Sequence, residues 1–272
     1  MHEIIRSYMD IVERIQKLDC ERTCIGTTSS EYSLYQIVSL AKNPDCAPSI
    51  LLSGGVHGRE PAGTLAILQF FEREQREPRY RDLNIYAFPC VNPWGFERDV
   101  LEKADMQNIN RQFFYGTAAT EVKILMETLA RGPRRYSFTM DMHETSPRDD
   151  DTSGPPPLEF YMWELCSHEN VERFGAKVIE KLRKERFPIC TWDTIFGDHS
   201  TDGVIYYPEG AHSPEYTQAP TFDAFLAKHY TDHAFTTETP TIWPIEDRVR
   251  AHLIALDTML QAYRNWLWST KQ

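Results

Sequence analysis

The chain has 272 residues, 41% of them hydrophobic and 12% aromatic, so it can bury a core large enough for one domain spanning residues 1–272. A formal net charge of −11 argues against nucleic acid and anionic membranes as partners, because phosphate-binding surfaces are usually basic. The absence of a long apolar run and the six sparse cysteines lead us to expect a soluble protein of the reducing cytoplasm.

Apolar periodicity and turn residues predict alternating helices and strands along the chain. In chain order they predict a helix at Ile4–Leu18, strands at Tyr32–Ala41 and Pro48–Ser53, a helix at Pro61–Gln75, a strand at Leu83–Cys90, a helix at Thr120–Ala130, a strand at Tyr136–Met142, a helix at Glu169–Arg186, a strand at His233–Thr237 and a final helix at Ile245–Trp268. This alternation is typical of an α/β fold.

A histidine and a glutamate stand three positions apart between a predicted strand and the helix that begins at Pro61. Two glycines before them allow a sharp turn, so the side chains of His57 and Glu60 can point at one metal ion. A third ligand, His143, follows directly on the apolar run Tyr136–Met142, and open α/β sheets place their ligands at such strand ends. Two histidines and one carboxylate leave a zinc ion one open position for water, as in catalytic sites. Taken singly, each motif also fits an ordinary surface helix or a hydrogen-bonded histidine.

Five motifs occur in the order that zinc carboxypeptidases and their relatives use, and the chain from about Ser49 onward resembles that group. The motifs are His57-Gly-Arg-Glu60, Asn92-Pro-Trp-Gly95, Asn108-Ile-Asn110-Arg111, Asp141-Met-His143 and Thr236-Thr-Glu238-Thr. The group includes carboxypeptidase A-like peptidases, murein-peptide amidases, and aspartoacylase and succinylglutamate desuccinylase deacylases. The resemblance implies a mixed, mostly parallel twisted sheet of about eight strands between helices. It also implies one zinc ion held by His57, Glu60 and His143.

The same resemblance implies roles for residues around the zinc. Glu238 matches the general base that takes a proton from the zinc-bound water and passes it to the leaving amine. Asn110 and Arg111 match the pair that binds the free carboxylate of the substrate, a group that suits the two parallel donors of a guanidinium. From the residues alone, Glu238 could equally be a solvated carboxylate at a strand end, and Arg111 could pair with one of many acidic residues.

A second cation and a tyrosine are less well defined by the resemblance. Relatives use another arginine to polarise the scissile carbonyl, and we favour Arg98 over Lys103 for this role. Tyr216 lies about where the group places a mobile tyrosine, with Tyr206 and Tyr207 as rivals. Any of these tyrosines could instead be ordinary aromatic packing.

Two positions depart from the pattern of the group. Many relatives have an aspartate where this chain has Asn108, which accepts a hydrogen bond from a zinc-bound histidine. An amide oxygen can still accept that bond, but it adds no negative charge near the metal. Glu144, beside His143, is an additional carboxylate without a matching role and is a second candidate for the general base.

These features favour a zinc peptidase or amidase that acts on a peptide-like amide bearing a free carboxylate. An alternative is a deacylase of N-acyl amino acids, although those enzymes often carry an additional C-terminal domain and this chain ends soon after its last predicted helix. A metal-free binding protein on the same fold is a third alternative, disfavoured because each residue that the chemistry needs is present. The pocket that selects the substrate side chain is expected in the loops between Pro188 and Phe235.

Overall fold

The fold is organised around one large sheet. The computed structural model describes residues 6–148, 155–167, 171–207 and 220–270. Within these ranges the helices are α1 Tyr8–Gln16, α2 Pro61–Arg76, α3 Pro93–Arg98, α4 Thr120–Arg131, α5 Gly175–Lys184, α6 Phe222–His229 and α7 Ile245–Thr270. The strands are β1 Glu21–Thr27, β2 Ser33–Ser39, β3 Ser49–Gly54, β4 Asn84–Phe88, β5 Phe138–Thr145, β6 Tyr161–Cys166, β7 Thr194–Ile195, β8 Asp198–His199, β9 Val204–Tyr207 and β10 His233–Pro240.

The main sheet of the described chain has eight strands in the order β1-β2-β4-β3-β5-β10-β6-β9, and β7 pairs separately with β8. Parallel pairing joins β4, β3, β5 and β10 at the centre and joins β6 to β9 at one edge. Antiparallel pairing joins β1 to β2, β2 to β4 and β6 to β10. The predicted fold class, a mixed and mostly parallel α/β sheet of eight strands, is confirmed.

Helices cover both faces of this sheet. In β3, Ile50 and Leu52 belong to an apolar core shared with α1, α2, α5 and α7, whereas Leu51 belongs to a second core shared with α4 and α6. Successive side chains of a strand point to opposite faces, so these cores lie on opposite sides of the sheet. Within the described ranges, no helix combines the length and the apolar composition needed to cross a bilayer.

The predicted elements are present, but their ends differ from the prediction. Helix α1 begins at Tyr8 because the Ser7 Oγ accepts a hydrogen bond from the Asp10 amide at 3.2 Å, which caps the first turn. Helix α5 begins at Gly175 rather than at position 169, which lies outside the described residues. Strand β5 continues past Met142 to Thr145, so His143 lies within the strand and not after it. Strands β1, β6, β7, β8 and β9 and helices α3 and α6 were not predicted.

Candidate metal centre and active-site cleft

Close packing of α2 against the sheet brings the first two predicted ligands to the carboxyl end of β3. A Cβ atom added to Gly54 would lie 2.7 Å from the carbonyl carbon of Gly63, so glycine allows the first turn of the helix to approach the strand. Gly55 has φ of +63°, a conformation that glycine adopts without strain, and it turns the chain toward His57. Glu60 directly precedes Pro61, the first residue of α2.

The three predicted ligands converge on one point. The His57 Nδ1 lies 2.7 Å from Glu60 Oε1, and the His143 Nδ1 lies 2.8 Å from Glu60 Oε2. The two Nδ1 atoms are 3.2 Å apart. Glu60 and His143 are buried, and His57 is partly exposed. The residues therefore form a group that can hold a metal ion and leave one side open to solvent.

The outer nitrogen of each imidazole is held by an acceptor. Asp141 Oδ2 lies 2.8 Å from His143 Nε2, and its other oxygen accepts a hydrogen bond from Ser53 Oγ at 2.6 Å. Asn108 Oδ1 lies 3.2 Å from His57 Nε2 and already accepts from the Asn110 amide at 2.8 Å. Both Nε2 atoms are thus the donors, which leaves the two Nδ1 lone pairs facing each other.

This donor set fits zinc. Two imidazole lone pairs and a carboxylate in contact repel one another unless a cation or protons lie among them. Ligands about 2.0–2.1 Å from one tetrahedral zinc ion lie about 3.3 Å apart, close to the separation of the two Nδ1 atoms. The carboxylate oxygens of Glu60 stand somewhat nearer, at hydrogen-bond distance from both rings.

A second group of possible ligands, Glu164, Cys166 and His233, lies elsewhere in the sheet and is buried. The Glu164 carboxylate is already occupied by contacts within the protein. Glu164 accepts hydrogen bonds from the amides of Phe174 and Gly175 at 2.7 and 2.8 Å, which caps the start of α5, and lies 2.6 Å from His233 Nε2. We therefore assign the metal to the first group.

Glu238 lies beside His143 because β10 and β5 pair in parallel with these two residues in register. Its Oε2 accepts a hydrogen bond from Thr145 Oγ1 at 3.0 Å. Since that hydroxyl donates to Glu238, it accepts from the Tyr161 hydroxyl, which is 2.6 Å away. Burial raises the pKa of Glu238 to about 8, and a nearby metal ion would oppose this shift by favouring the carboxylate.

Glu144 points away from the cluster of ligands. Its Oε2 accepts a hydrogen bond from the Ala62 amide at 2.6 Å, and its Oε1 forms a buried ion pair with Arg248 of α7. Burial raises the pKa of Glu144 to about 7. Its two oxygens therefore bind the start of α2 and the last helix.

The predicted carboxylate anchor lines the same cleft, which has a volume of about 590 Å³. Asn110 Oδ1 accepts a hydrogen bond from the Phe222 amide at 2.9 Å, which joins the anchor to the start of α6. The exposed Arg111 donates from Nη1 to the Asn110 carbonyl at 2.8 Å. Among the described residues, no carboxylate forms an ion pair with Arg111, so its guanidinium is available to a ligand.

The favoured second cation is not in the cleft. Arg98 lies at the end of α3, where it stacks on Trp94 and donates to the Tyr32 hydroxyl at 3.1 Å. Its rival Lys103 is buried and paired with Asp105. The described arginines that line the cleft besides Arg111 are Arg59, inside the first ligand motif, and Arg148, on the loop after β5. Neither was considered from the sequence, because only cations between Asn92 and Arg111 were considered for this role.

The structure describes two of the three candidate tyrosines. Tyr216 lies outside the described residues. Tyr206 and Tyr207 are in β9 and, among the residues that the structure describes, do not line the cleft. Tyr161, linked to Glu238 through Thr145, does line it and was missed because it lies in an unpredicted strand.

The far wall of the cleft combines aromatic rings with polar groups. Trp163 stacks parallel to Phe196 with ring centroids 6.5 Å apart. Asp223 Oδ2 accepts from Thr236 Oγ1 at 2.8 Å, two residues before Glu238 on the same face of β10. Trp163 Nε1 and Thr221 Oγ1 are buried and have no hydrogen-bond partner in the part of the chain that the structure describes. These two atoms are therefore available to a polar group that enters the cleft.

Comparison with solved structures identifies the architecture. A candidate metallopeptidase from Shewanella amazonensis matches with a TM-score of 0.75 at 23% identity, covering 94% of this chain and 91% of that one. Another from Shewanella denitrificans matches with a TM-score of 0.72 at 26% identity, covering 92% and 87%. A metallo-carboxypeptidase from Pseudomonas aeruginosa, in complex with (2-guanidinoethylmercapto)succinic acid, matches with a TM-score of 0.64 at 16% identity, covering 93% and 67%. No protein-family model and no curated protein matches the chain.

The chain therefore has the fold of the metallopeptidases and metallo-carboxypeptidases that it matches, and the predicted resemblance is confirmed at that level. The His57, Glu60 and His143 cluster at the carboxyl ends of central parallel strands is consistent with this class.

Proposed function

We propose that the protein is a zinc-dependent hydrolase that cleaves a peptide-like amide bond next to a free carboxylate, as a carboxypeptidase or peptide amidase does. The observation that carries this proposal is the convergence of His57, Glu60 and His143, with Glu238 in register beside His143 on the next strand. A carboxylate directly beside an open metal site is the arrangement that hydrolysis by an activated water requires.

A bound zinc ion supplies Lewis acidity, which polarises a carbonyl and makes a water molecule more acidic. Glu238 takes the proton from the attacking water and delivers it to the leaving nitrogen. Thr145 holds one oxygen of Glu238 and leaves the other for the proton.

Arg111 and Asn110 bind the free carboxylate of the substrate. The guanidinium can donate two parallel hydrogen bonds to that group, and the link between Asn110 and Phe222 places the anchor beside Thr221 and Asp223. The ligand of the Pseudomonas aeruginosa protein is named as a succinic acid derivative, which supports a site that accepts carboxylates.

The side chain of the residue that bears this carboxylate enters the pocket formed by Trp163, Thr221 and Asp223. A buried carboxylate there favours a cationic partner, and the aromatic wall suits the apolar stem of a long side chain. We therefore propose a preference for substrates that end in lysine or arginine.

The decisive experiment is Glu238→Gln, which keeps the size of the side chain and removes the base. We expect kcat to fall by about 10²–10⁴-fold while the zinc content stays at the wild-type level. Assays should include peptides ending in lysine, arginine and leucine together with N-acyl amino acids. Hydrolysis of the acyl amino acids alone would favour a deacylase, and near-normal activity of the variant would remove Glu238 from the proposed mechanism.

A further inference from the structure

The turn that carries two of the three proposed metal ligands is held by polar contacts from both sides. This segment, residues 57–62, is called here the ligand turn. On one side stands Arg6, which precedes α1 and has a side chain only 15% exposed. Its Nη1 donates to the Gly58 carbonyl and its Nη2 to the Arg59 carbonyl, both at 3.1 Å. These carbonyls lie between His57 and Glu60 in the chain.

The other side is held by Glu144. It follows His143 directly in β5, and its Oε2 accepts the Ala62 amide, two residues after Glu60. One carboxylate therefore joins the strand that carries the third ligand to the turn that carries the other two. Arg248 of α7 pairs with the remaining oxygen, and the pair is almost completely buried at 0% and 7% exposure.

We propose that Arg6 and the Glu144–Arg248 pair are positioning residues for the metal ligands, which hold the ligand turn against β5 and thereby raise the affinity for zinc. This inference rests on the proposed metal role of His57, Glu60 and His143. The physical reason is preorganisation, since ligands already fixed in place lose little freedom when the ion binds. The backbone of the turn adds two hydrogen bonds of its own, from the Gly58 amide to the Leu101 carbonyl at 3.3 Å and from the Glu60 amide to the His57 carbonyl at 3.2 Å.

A purely structural role of Arg6 predicts a different effect on zinc binding. Arg14 provides a matched control, because it also joins the N-terminal part of the chain to α2, through Glu72 at 2.7 and 3.0 Å, but does so away from the ligands. If Arg6 only stabilised the fold, Arg6→Met and Arg14→Met would both lower the thermal midpoint of the metal-free protein and leave the zinc dissociation constant of the folded protein unchanged.

The test compares zinc dissociation constants of wild type, Arg6→Met and Arg14→Met, measured by competition with a chromophoric chelator well below the unfolding midpoint. We expect Arg6→Met to weaken zinc binding by about 10–100-fold and Arg14→Met to bind like wild type. Equal affinity of Arg6→Met and wild type would overturn the inference and leave the proposed function intact. A wild-type protein that binds no zinc would instead contradict the proposed function.

The second side of the turn is tested with Arg248→Lys, which keeps a cation beside the buried Glu144 but loses the reach and geometry of the guanidinium. Its matched control is Arg73→Lys, because Arg73 binds Asp257 at 2.7 and 2.8 Å and joins α2 to α7 elsewhere. We expect weaker zinc binding only in Arg248→Lys, and equal zinc affinity in the two folded variants would remove this pair from the proposal. If Arg248→Lys does not fold, the Arg6 comparison decides alone.

Discussion

Asp223 is a buried carboxylate in the pocket that we propose for the substrate side chain. We expect Asp223→Asn to lower kcat/KM for substrates ending in lysine or arginine by about 10–100-fold, because a hydrogen bond between charged groups becomes a neutral one. Asparagine can still accept the hydrogen bond from Thr236 Oγ1, but its amide nitrogen replaces the oxygen that accepts the Ala224 amide at 2.8 Å, so the thermal midpoint of the variant is measured as a control. Substrates ending in leucine should be cleaved as well as before or better. Steady-state kinetics with a matched set of peptides measures this.

Arg111 serves as the contrasting position in the same assay. Arg111→Ala removes the anchor and not the side-chain pocket, so it should lower kcat/KM for both kinds of substrate by a similar factor. A change of side-chain preference in Arg111→Ala, or none in Asp223→Asn, would contradict the assignment of the two subsites.

At the residue scale, the three proposed ligands and the Asn108 partner of His57 could be proposed from the sequence, but the Asp141 partner of His143 and the Arg248 partner of Glu144 could not. His57, Glu60 and His143 stand in short motifs whose spacing carries chemical meaning. The cation that would polarise the scissile carbonyl could not be identified from the sequence, because the turns between Asn92 and Arg111 decide which side chains reach the cleft. These turns direct Arg98 onto Trp94 and bury Lys103. The role of Glu144 depends on Arg248, a contact between distant parts of the chain that no local pattern reveals.

At the scale of helices and strands, helix α2 packs against β5 directly beside the proposed metal site. A Cβ added to Gly63 would lie 2.4 Å from the Met142 carbonyl oxygen, so Gly63→Ala must push the helix away from the strand that carries His143. We expect the variant to lose about 1–3 kcal/mol of the free energy of unfolding, although alanine is the better helix former. The urea midpoint of the metal-free protein measures the loss.

Gly132→Ala is the control for this variant. An added Cβ there meets its nearest neighbour, the Tyr136 hydroxyl oxygen, at 3.2 Å, and the φ of −86° suits any residue. We expect a much smaller change in the urea midpoint. If the two variants lose equal stability, the close approach of Gly63 to β5 is not what limits the packing.

Elements with strong apolar periodicity were predicted, and those without it were missed. Strand β1 is largely exposed at the edge of the sheet and has no alternating apolar pattern. Strand β6 has the sequence Tyr-Met-Trp-Glu-Leu-Cys, in which good helix formers are mixed with aromatic residues. Its apolar residues therefore did not distinguish a helix from a strand. The predicted end of β5 was too early because the polar side chains of the site interrupt the apolar run, whereas pairing with β10 continues through Thr145.

For the whole molecule, buried His252 predicts a loss of stability in acid. It joins α7 to β10 through contacts with Thr237 and Thr239 at 3.0 and 3.2 Å, and burial lowers its pKa to about 3. An unfolded histidine has a pKa of about 6.5, so between these values the unfolded chain binds the additional proton. The contribution of His252 to the free energy of unfolding is therefore complete above about pH 6.5 and decreases as the pH falls.

This effect is isolated by comparing wild type with His252→Gln, which can still form hydrogen bonds with the two threonines. Urea unfolding of metal-free protein at a series of pH values below 6.5 should show a slope that is smaller in the variant by up to about 1.4 kcal/mol per pH unit. Parallel curves for the two proteins would show that another group causes the acid sensitivity. Buried Glu144, with its raised pKa, acts in the opposite direction and is common to both proteins.

The support of the ligand turn comes from distant parts of the chain, and this has a consequence for biosynthesis. Arg6, Glu144 and all three proposed metal ligands have been synthesised once residue 144 is added, but Glu238 and helix α7, which carries Arg248, are synthesised later. The contacts of Arg6 and Glu144 to the ligand turn can therefore form before Arg248 is available to pair with Glu144. Until residues 238–248 are made, Glu144 lacks its cation and the proposed base is absent, so the proposed zinc affinity and the proposed hydrolysis both depend on this later segment.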